Sequence, residues 1–326
     1  MRVLFIAGGN SKNFDIAPFI KAQGESLVNE GVEIIYFPIR GKGLKGYLNG
    51  VFQLRRFLRK NPIDIIHAHY TLSGLTAVLA LSGKPIVLSL MGTDAYGEYI
   101  GENKIKFGSQ YLIILTYLIQ PFVKNIICKS EHIQTYVYLK NRSKIIPNGI
   151  LLQSFLQSVK TRVIKEHSKS HQKQILFLGD KLDPRKNYKL VEDAVRLIGS
   201  NDIQILAPYP IPHNEVVEYL NSVDVLVVPS FMEGSPNLVK EAMACNCPVV
   251  ATNVGDIAWL FGNELGHFVT SFNIEEVSEK IKQALHFSEN YHKTMGRDRI
   301  LELGLDSKTI AKRIIKLYIN VLDKNN

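Results

Sequence analysis

The stretch Ser230 to Asp256, SFMEGSPNLVKEAMACNCPVVATNVGD, constrains the fold more than any other part of the chain. It reads as strand end, tight loop, helix, buried strand and loop. Ser235 suits a helix N-cap and Pro236 the first helical position, because the first N–H groups of a helix lack internal partners. Leu238, Val239, Ala242 and Met243 form an apolar stripe at helical spacing. Asn246 suits a left-handed C-cap, and Pro248 stops the helix from continuing. Pro248 to Ala251 is then a short buried strand.

Two carboxylates in this stretch carry candidate chemistry. Glu233 lies on the loop, ahead of a helix start whose free N–H groups and dipole make an anion site suited to a diphosphate. Glu241 lies inside the helix, roughly 9 Å further along its axis at 1.5 Å rise per residue. A diphosphate on the helix start would place a ribose near Glu241 and a sugar near Glu233. An ordinary capped helix with two solvated carboxylates fits the spacing equally well.

The rest of the chain repeats the same βα rhythm. Val3 to Ala7 is a continuous apolar strand of the parallel-sheet kind, ending in Gly8-Gly9. Strands follow at 31–38, 64–70, 85–90 and 125–129, with helices at 19–30, 44–61 and 71–82 between them. Tyr111 to Val123 carries no charge and is expected to be a buried helix. Residues 158–173 are polar, lack a sustained apolar period and read as a linker. Strands at 175–179, 203–207, 223–229 and 266–269 and helices at 187–198, 213–221, 257–261, 274–287 and 307–322 complete a second half. The expectation is two Rossmann-like, doubly wound α/β domains facing a cleft, one over 1–157 and one over 174–306.

Charge separates the halves. Residues 1–160 hold 19 Lys/Arg against 9 Asp/Glu, and residues 161–326 hold 20 against 21. Ile34 to Ile63 contains no acidic residue, yet Arg40, Lys42, Lys45, Arg55, Arg56, Arg59 and Lys60 fall there. A one-sided basic half points to an anionic partner, a membrane surface or lipid diphosphate before nucleic acid, since no nucleic-acid motif is present. The amphipathic segment 44–61 packs on a sheet as an ordinary crossover helix, or lies in part on anionic lipid. Cys128, Cys245 and Cys247 lack a disulfide or zinc spacing and read as buried thiols of a reducing, cytoplasmic compartment. No apolar run approaches the roughly 20 residues of a spanning helix, and the first residues read as a strand rather than a signal peptide.

EGSPNLVKEAMACNCPVVATNVGD resembles the E-x7-E signature of retaining glycosyltransferases of family 4, which have the GT-B fold. The resemblance implies that Glu233 faces the donor sugar, that Glu241 binds the ribose, and that Gly234, Ser235, Pro236, Asn237 and Leu238 hold the diphosphate. It places Gly8 and Gly9 at the family's glycine-rich loop. It sets Gly179, Lys181, Arg185 and Lys186 in the basic donor-phosphate loop, and Tyr209 near the nucleotide base. Lys186 matches the family's lysine, whereas Asp180 stands where an arginine is usual, with Lys181 beside it. Met91 stands where many members have a histidine, which leaves His69 and Asp94 as polar candidates near the acceptor and Asp94 as candidate base. His67-x-His69 on a strand puts both rings on one face, with no third ligand evident.

The resemblance implies a nucleotide-diphosphate sugar as co-substrate, a glycan or lipid-linked acceptor, and no metal or cofactor, in keeping with the absence of an Asp-x-Asp pair. It also implies that the last helix, 307–326, crosses back to the first domain. A donor-binding subunit without catalysis and a sugar-nucleotide epimerase of the same fold are the rival readings.

Overall fold

The computed structural model describes residues 1–10, 14–41, 43–156 and 172–323, with only the backbone of Leu44. The linker expected at 158–173 lies outside the described residues except for its last two. The chain divides into two compact units.

The first unit comprises Met1–Glu98, Ile105–Gly149 and the segment from Ser307 onward. In order, β1 (Arg2–Gly8), α1 (Pro18–Val28), β2 (Glu33–Ile39), α2 (Gly43–Lys60), β3 (Ile65–His69), α3 (Thr71–Leu79), β4 (Ile86–Ser89) and α4 (Thr93–Tyr96) alternate. After a short two-stranded excursion, β5 (Tyr99–Gly101) and β6 (Lys104–Ile105), whose residues Tyr99–Lys104 belong to the second unit, come α5 (Gln110–Ile119), β7 (Asn125–Cys128), α6 (Glu131–Thr135) and β8 (Ser143–Ile145). Six strands form one parallel sheet in the order β2-β1-β3-β4-β7-β8. Its middle is apolar on both faces: Val3, Leu4, Phe5 and Ile6 are fully buried, as are Ile65 and Ile66. That is why these strands read as continuous apolar runs rather than alternating ones.

The second unit comprises Tyr99–Lys104 and Ile150–Asp306. Its elements are β9 (Lys173–Leu176), α7 (Tyr188–Ile198), β10 (Ile203–Leu206), α8 (His213–Ser222), β11 (Val225–Val228), α9 (Asn237–Ala244), β12 (Val249–Thr252), α10 (Ile257–Phe261), β13 (His267–Thr270), α11 (Ile274–Tyr291) and α12 (Gly296–Glu302). Five parallel strands run in the order β10-β9-β11-β12-β13. Ile175, Val225, Val227 and Val250 of this sheet pack with Val191, Ala194, Ile281 and Ala284 of α7 and α11. The chain passes to this unit at Ile150, earlier than the expected residue 157. Arg297 explains the difference: its guanidinium donates to the Leu152 carbonyl at 3.0 Å and the Phe155 carbonyl at 2.7 Å, fixing that segment to α12.

The last helix, α13 (Ser307–Asp323), packs on α1 within the first unit. Tyr318 is fully buried there, and its hydroxyl meets His67 Nδ1 at 2.6 Å. Gly149 makes the close approach: a Cβ on it would lie 2.7 Å from the Ser307 Cα.

Two expectations need correction. Ser235 does not cap its helix: α9 begins at Asn237, Pro236 is the N-cap and no side chain caps it. The C-terminal expectation holds, with Asn246 at φ 54°. Nor is the apolar segment from Tyr111 a buried helix. Only Leu112, Thr116 and Ile119 of α5 are buried, because α3 covers one side, and Tyr111, Ile114, Tyr117 and Leu118 are exposed.

Candidate functional site

The candidate donor site lies in the second unit, on the loops after β9 and β11 and the start of α9. After β9, a tight turn is shaped by two aspartates. Asp180 Oδ1 accepts from the Leu182 N–H at 2.9 Å, so Asp180 makes the turn. Asp183 accepts from the Arg185 N–H at 3.0 Å and from the Arg185 guanidinium at 2.6 Å. The Arg185 carbonyl then accepts from the Phe231 N–H at 2.9 Å, which ties this loop to the one after β11. Asn187, at φ 51°, donates to the Pro229 carbonyl and adds a second tie.

These ties bring Lys186 to Glu233. Its Nζ lies 2.7 Å from Glu233 Oε1, with the lysine side chain 36% exposed and the glutamate 17%. Gly179 gives room for the lysine stem: a Cβ there would lie 3.3 Å from Lys186 Cγ. Lys186, Glu233, Pro236 and Leu238 line a small cleft of about 90 Å³ together with Phe177 and Ser230.

The loop of Glu233 is held from below. Gly255 has φ 63°, and a Cβ on it would lie 2.5 Å from the Glu233 carbonyl and 2.7 Å from that of Gly234. Only glycine allows this approach. Next to it, Asp256 is buried, and burial pushes its carboxyl up to about 6 against the opposing pull of Lys240. The Ser235 hydroxyl lies near enough to steady this carboxyl. Neither group completes a hydrogen bond of normal geometry among the described residues. Lys240 is fully buried on α9, and burial pushes its ammonium down to about 8, while the charges of Asp256 and Glu241 oppose the shift.

Glu241 is nearly buried, and its Oε1 meets His213 Nε2 at 2.9 Å. That hydrogen bond raises the His213 pKa. His213 opens α8 and was not singled out from the sequence; its only signal was a histidine at a helix start after the Pro210–Pro212 loop. Lys240 and Asp256 were missed as well. All six residues from Val239 to Ala244 are buried, so a charge on this helix needs a partner.

The remaining expected site residues are placed as follows. Lys181 Nζ lies 4.7 Å above the Tyr188 ring. Tyr209 is on the loop before α8 and is half exposed. Gly8, Gly9, His69 and Asp94 belong to the first unit. Gly8 ends β1 beneath Tyr47, whose hydroxyl would lie 2.9 Å from an added Cβ. Gly9 donates to the Ile39 carbonyl at 2.8 Å.

His67 and His69 stack at 4.3 Å. Ser89 Oγ and the Tyr318 hydroxyl hold His67, and both rings are kept neutral by burial. Neither His69 nitrogen has a hydrogen-bond partner among the described residues.

Asp94 does not fit the base role expected of it. It is fully buried; Oδ1 accepts from the Met91 and Gly92 N–H groups at 2.9 Å each, and Oδ2 from the Thr71 N–H at 3.0 Å. No face of the carboxylate is turned outward. It fixes the Met91-Gly92 loop to the start of α3.

The two parallel, doubly wound units define a GT-B fold, and solved structures agree. A sucrose-phosphate synthase from Thermosynechococcus elongatus matches 99% of each chain at TM-score 0.81 and 15% identity. A protein of Anabaena, HepE, solved with UDP and glucose, matches 97% of this chain and 98% of its own at TM-score 0.73 and 16% identity.

The family model "Glycosyl transferases group 1" matches residues 147–286, and "Glycosyl transferase 4-like" matches residues 5–130. An uncharacterized glycosyltransferase of Methanocaldococcus jannaschii is 26% identical over 79% of this chain and 75% of its own. An Escherichia coli UDP-Gal:alpha-D-GlcNAc-diphosphoundecaprenol alpha-1,3-galactosyltransferase is 22% identical over 81% and 78%. Together these matches support a member of the glycosyltransferase superfamily.

Proposed function

We propose that this chain transfers a hexosyl group, with retention of configuration and without a metal, from a nucleoside-diphosphate sugar to a glycan or lipid-linked acceptor. The acceptor would serve cell-surface polysaccharide synthesis at the cytoplasmic side of a membrane. The observation that carries this reading is the pairing of Lys186 with Glu233 beside the start of α9, with Glu241 further along the same helix. Lys186 and Arg185 offset the charge that gathers on the departing diphosphate, so leaving-group stabilisation comes from fixed cations. The N–H groups at the start of α9 add to it. Glu233 orients the donor sugar through its hydroxyls, and Glu241 holds the ribose.

The acceptor class is drawn from similar proteins: the Escherichia coli relative is named for a diphosphoundecaprenol-linked substrate. A non-catalytic donor-binding subunit is the second reading, favoured by Met91 and Asp180 standing where the resemblance leads one to expect a histidine and an arginine.

The deciding experiment is thermal protection by UDP, GDP, ADP and their sugar conjugates, with and without magnesium, since a ligand that binds only the folded state raises Tm. A magnesium-independent rise with one base, weakened in Glu241→Ala, supports the donor site. Protection without acceptor-dependent nucleotide release favours the binding subunit. No protection by any nucleotide overturns both.

A further inference from the structure

The first unit exposes an apolar surface that its own fold does not use. Helix α3 packs between α2 and α5. Neither α3 nor α5 carries a charged side chain. Tyr111, Ile114 and Leu118 follow one another along α5 at helical spacing, and Phe122 lies just beyond its end. Ile114 is 60% exposed, Leu118 62% and Phe122 65%. Leu81, after α3, is 79% exposed. A row of exposed apolar side chains along one helix face marks a contact surface.

Cations border it on both sides. On α2, Lys45, Leu48, Phe52 and Arg56 lie on one outward stripe, all exposed, with Arg59 and Lys60 exposed at the helix end. Arg55 ties this helix to the end of α3 through the Leu79 and Ala80 carbonyls at 2.8 and 3.0 Å. At the opposite border, the Arg142 guanidinium donates to the Pro121 and Val123 carbonyls, beside Phe122 and the exposed Lys124. No acidic residue occurs in 34–63 or in 103–130.

We propose that this α2–α3–α5 face docks on an anionic lipid bilayer. The α5 stripe and Phe122 enter the acyl boundary, and the α2 cations and Lys124 meet the headgroup phosphates. An apolar centre ringed by cations complements that surface in both of its components. A second protein copy would bring the same cations face to face, which disfavours it. Tyr111, at the top of the stripe, lies close enough to Tyr47 and Tyr70 to affect their ionisation. Tyr70 follows the C-terminal end of β3, and the Tyr47 hydroxyl, reaching from α2, lies over Gly8 at the C-terminal end of β1, the edge where α/β folds bind ligands. The proposal deepens the lipid-linked-acceptor reading above, because it would bring that edge to the membrane that holds such an acceptor.

The test is co-sedimentation of the full chain with vesicles of phosphatidylglycerol and phosphatidylcholine, against phosphatidylcholine alone. Ile114→Ser/Leu118→Ser removes the apolar stripe at exposed positions, and Arg56→Glu/Arg59→Glu reverses two cations. The wild type is expected to bind anionic vesicles, with residual binding in high salt. The serine pair is expected to lose binding by about tenfold or more with unchanged Tm, and the charge pair to lose the salt-sensitive part. Wild-type behaviour of either pair, or no binding by the wild type, overturns the proposal. So does a wild-type dimer that the serine pair converts to monomer, which would assign the face to a second copy. UDP protection measured on the same samples reports the donor site separately, so failure of one reading is not mistaken for failure of the other.

Discussion

The Lys186 ammonium and the Glu233 carboxylate stand 2.7 Å apart, held by loops that the Arg185 carbonyl and the Phe231 N–H lock together. Each group keeps the other pointing into the same small cleft. Their pairing is partly exposed, so its worth lies in placement more than in stability.

Lys186→Ala is accordingly expected to lower kcat by about 100-fold or more while Tm shifts little, because fixed cations act on the charge of the leaving group. Glu233→Ala is expected to lower turnover comparably. Acceptor-dependent release of nucleoside diphosphate is the measurement. Full turnover in Glu233→Ala would remove the proposed mechanism.

The Glu241–His213 contact sets a pH dependence whose sign follows from the hydrogen bond. The bond raises the folded-state pKa of His213 above the ordinary histidine value of 6.5. Its stabilising contribution is therefore fully present below about 6.5 and is lost as pH rises through the raised folded value. Melting of wild type against His213→Gln from pH 5.5 to 8.5 should show a gap that closes as pH rises. A gap that widens, or none at any pH, would exclude the contact.

Much of this arrangement was legible in the sequence. The β-strands announced themselves because both faces of each sheet are covered, and the Glu233–Glu241 stretch carried its own helix, turn and strand signals. What stayed hidden was pairing at a distance. His213 and Glu241 come from different βα units, as do Lys240 and Asp256, and no spacing rule links them. Asp94 misled for a related reason: its sequence position suggested a cleft, and only the three backbone N–H groups around it reveal a buried structural acceptor. For α5, apolar composition suggested burial, whereas only the neighbouring helices decide which side is covered.

Asp94 can be assigned by experiment. Replacing it with Asn places an NH₂ group against backbone donors, at a cost of about 1–3 kcal/mol for the unsatisfied buried groups. Burial raises its carboxyl to about 6. The protonated form is thus favoured in the fold, and its contribution falls as pH rises from about 4 to 6. Asp94→Asn should lower Tm at pH 7.5 and leave the pH–rate profile of the folded enzyme unchanged. An unaltered Tm combined with loss of the acidic limb of kcat would restore the base role.

The buried pair beneath the Glu233 loop allows the sharpest stability test. Lys240 is pushed down to about 8 and Asp256 up to about 6, both by burial, so the charged pair coexists between those values. For Asp256, the raised folded value means stability falls as pH rises from about 4 to 6. For Lys240, the lowered value means stability rises with pH from about 8 to 10.5. Each charge costs the fold something, and each offsets part of the other's cost. Removing one partner is therefore worse than removing both: Lys240→Met alone should destabilise by about 3 kcal/mol near neutral pH, and Lys240→Met/Asp256→Asn by distinctly less. In Lys240→Met, Asp256 has lost its cation, so its pKa rises further and urea stability should fall with pH beyond 6, into the range where the wild type is flat in this term. Adding Asp256→Asn should abolish that slope. If Lys240→Met proved as stable as the wild type at pH 8, the ammonium and the carboxylate would not be coupled, and the Glu233 loop would rest on the Gly255 contact alone.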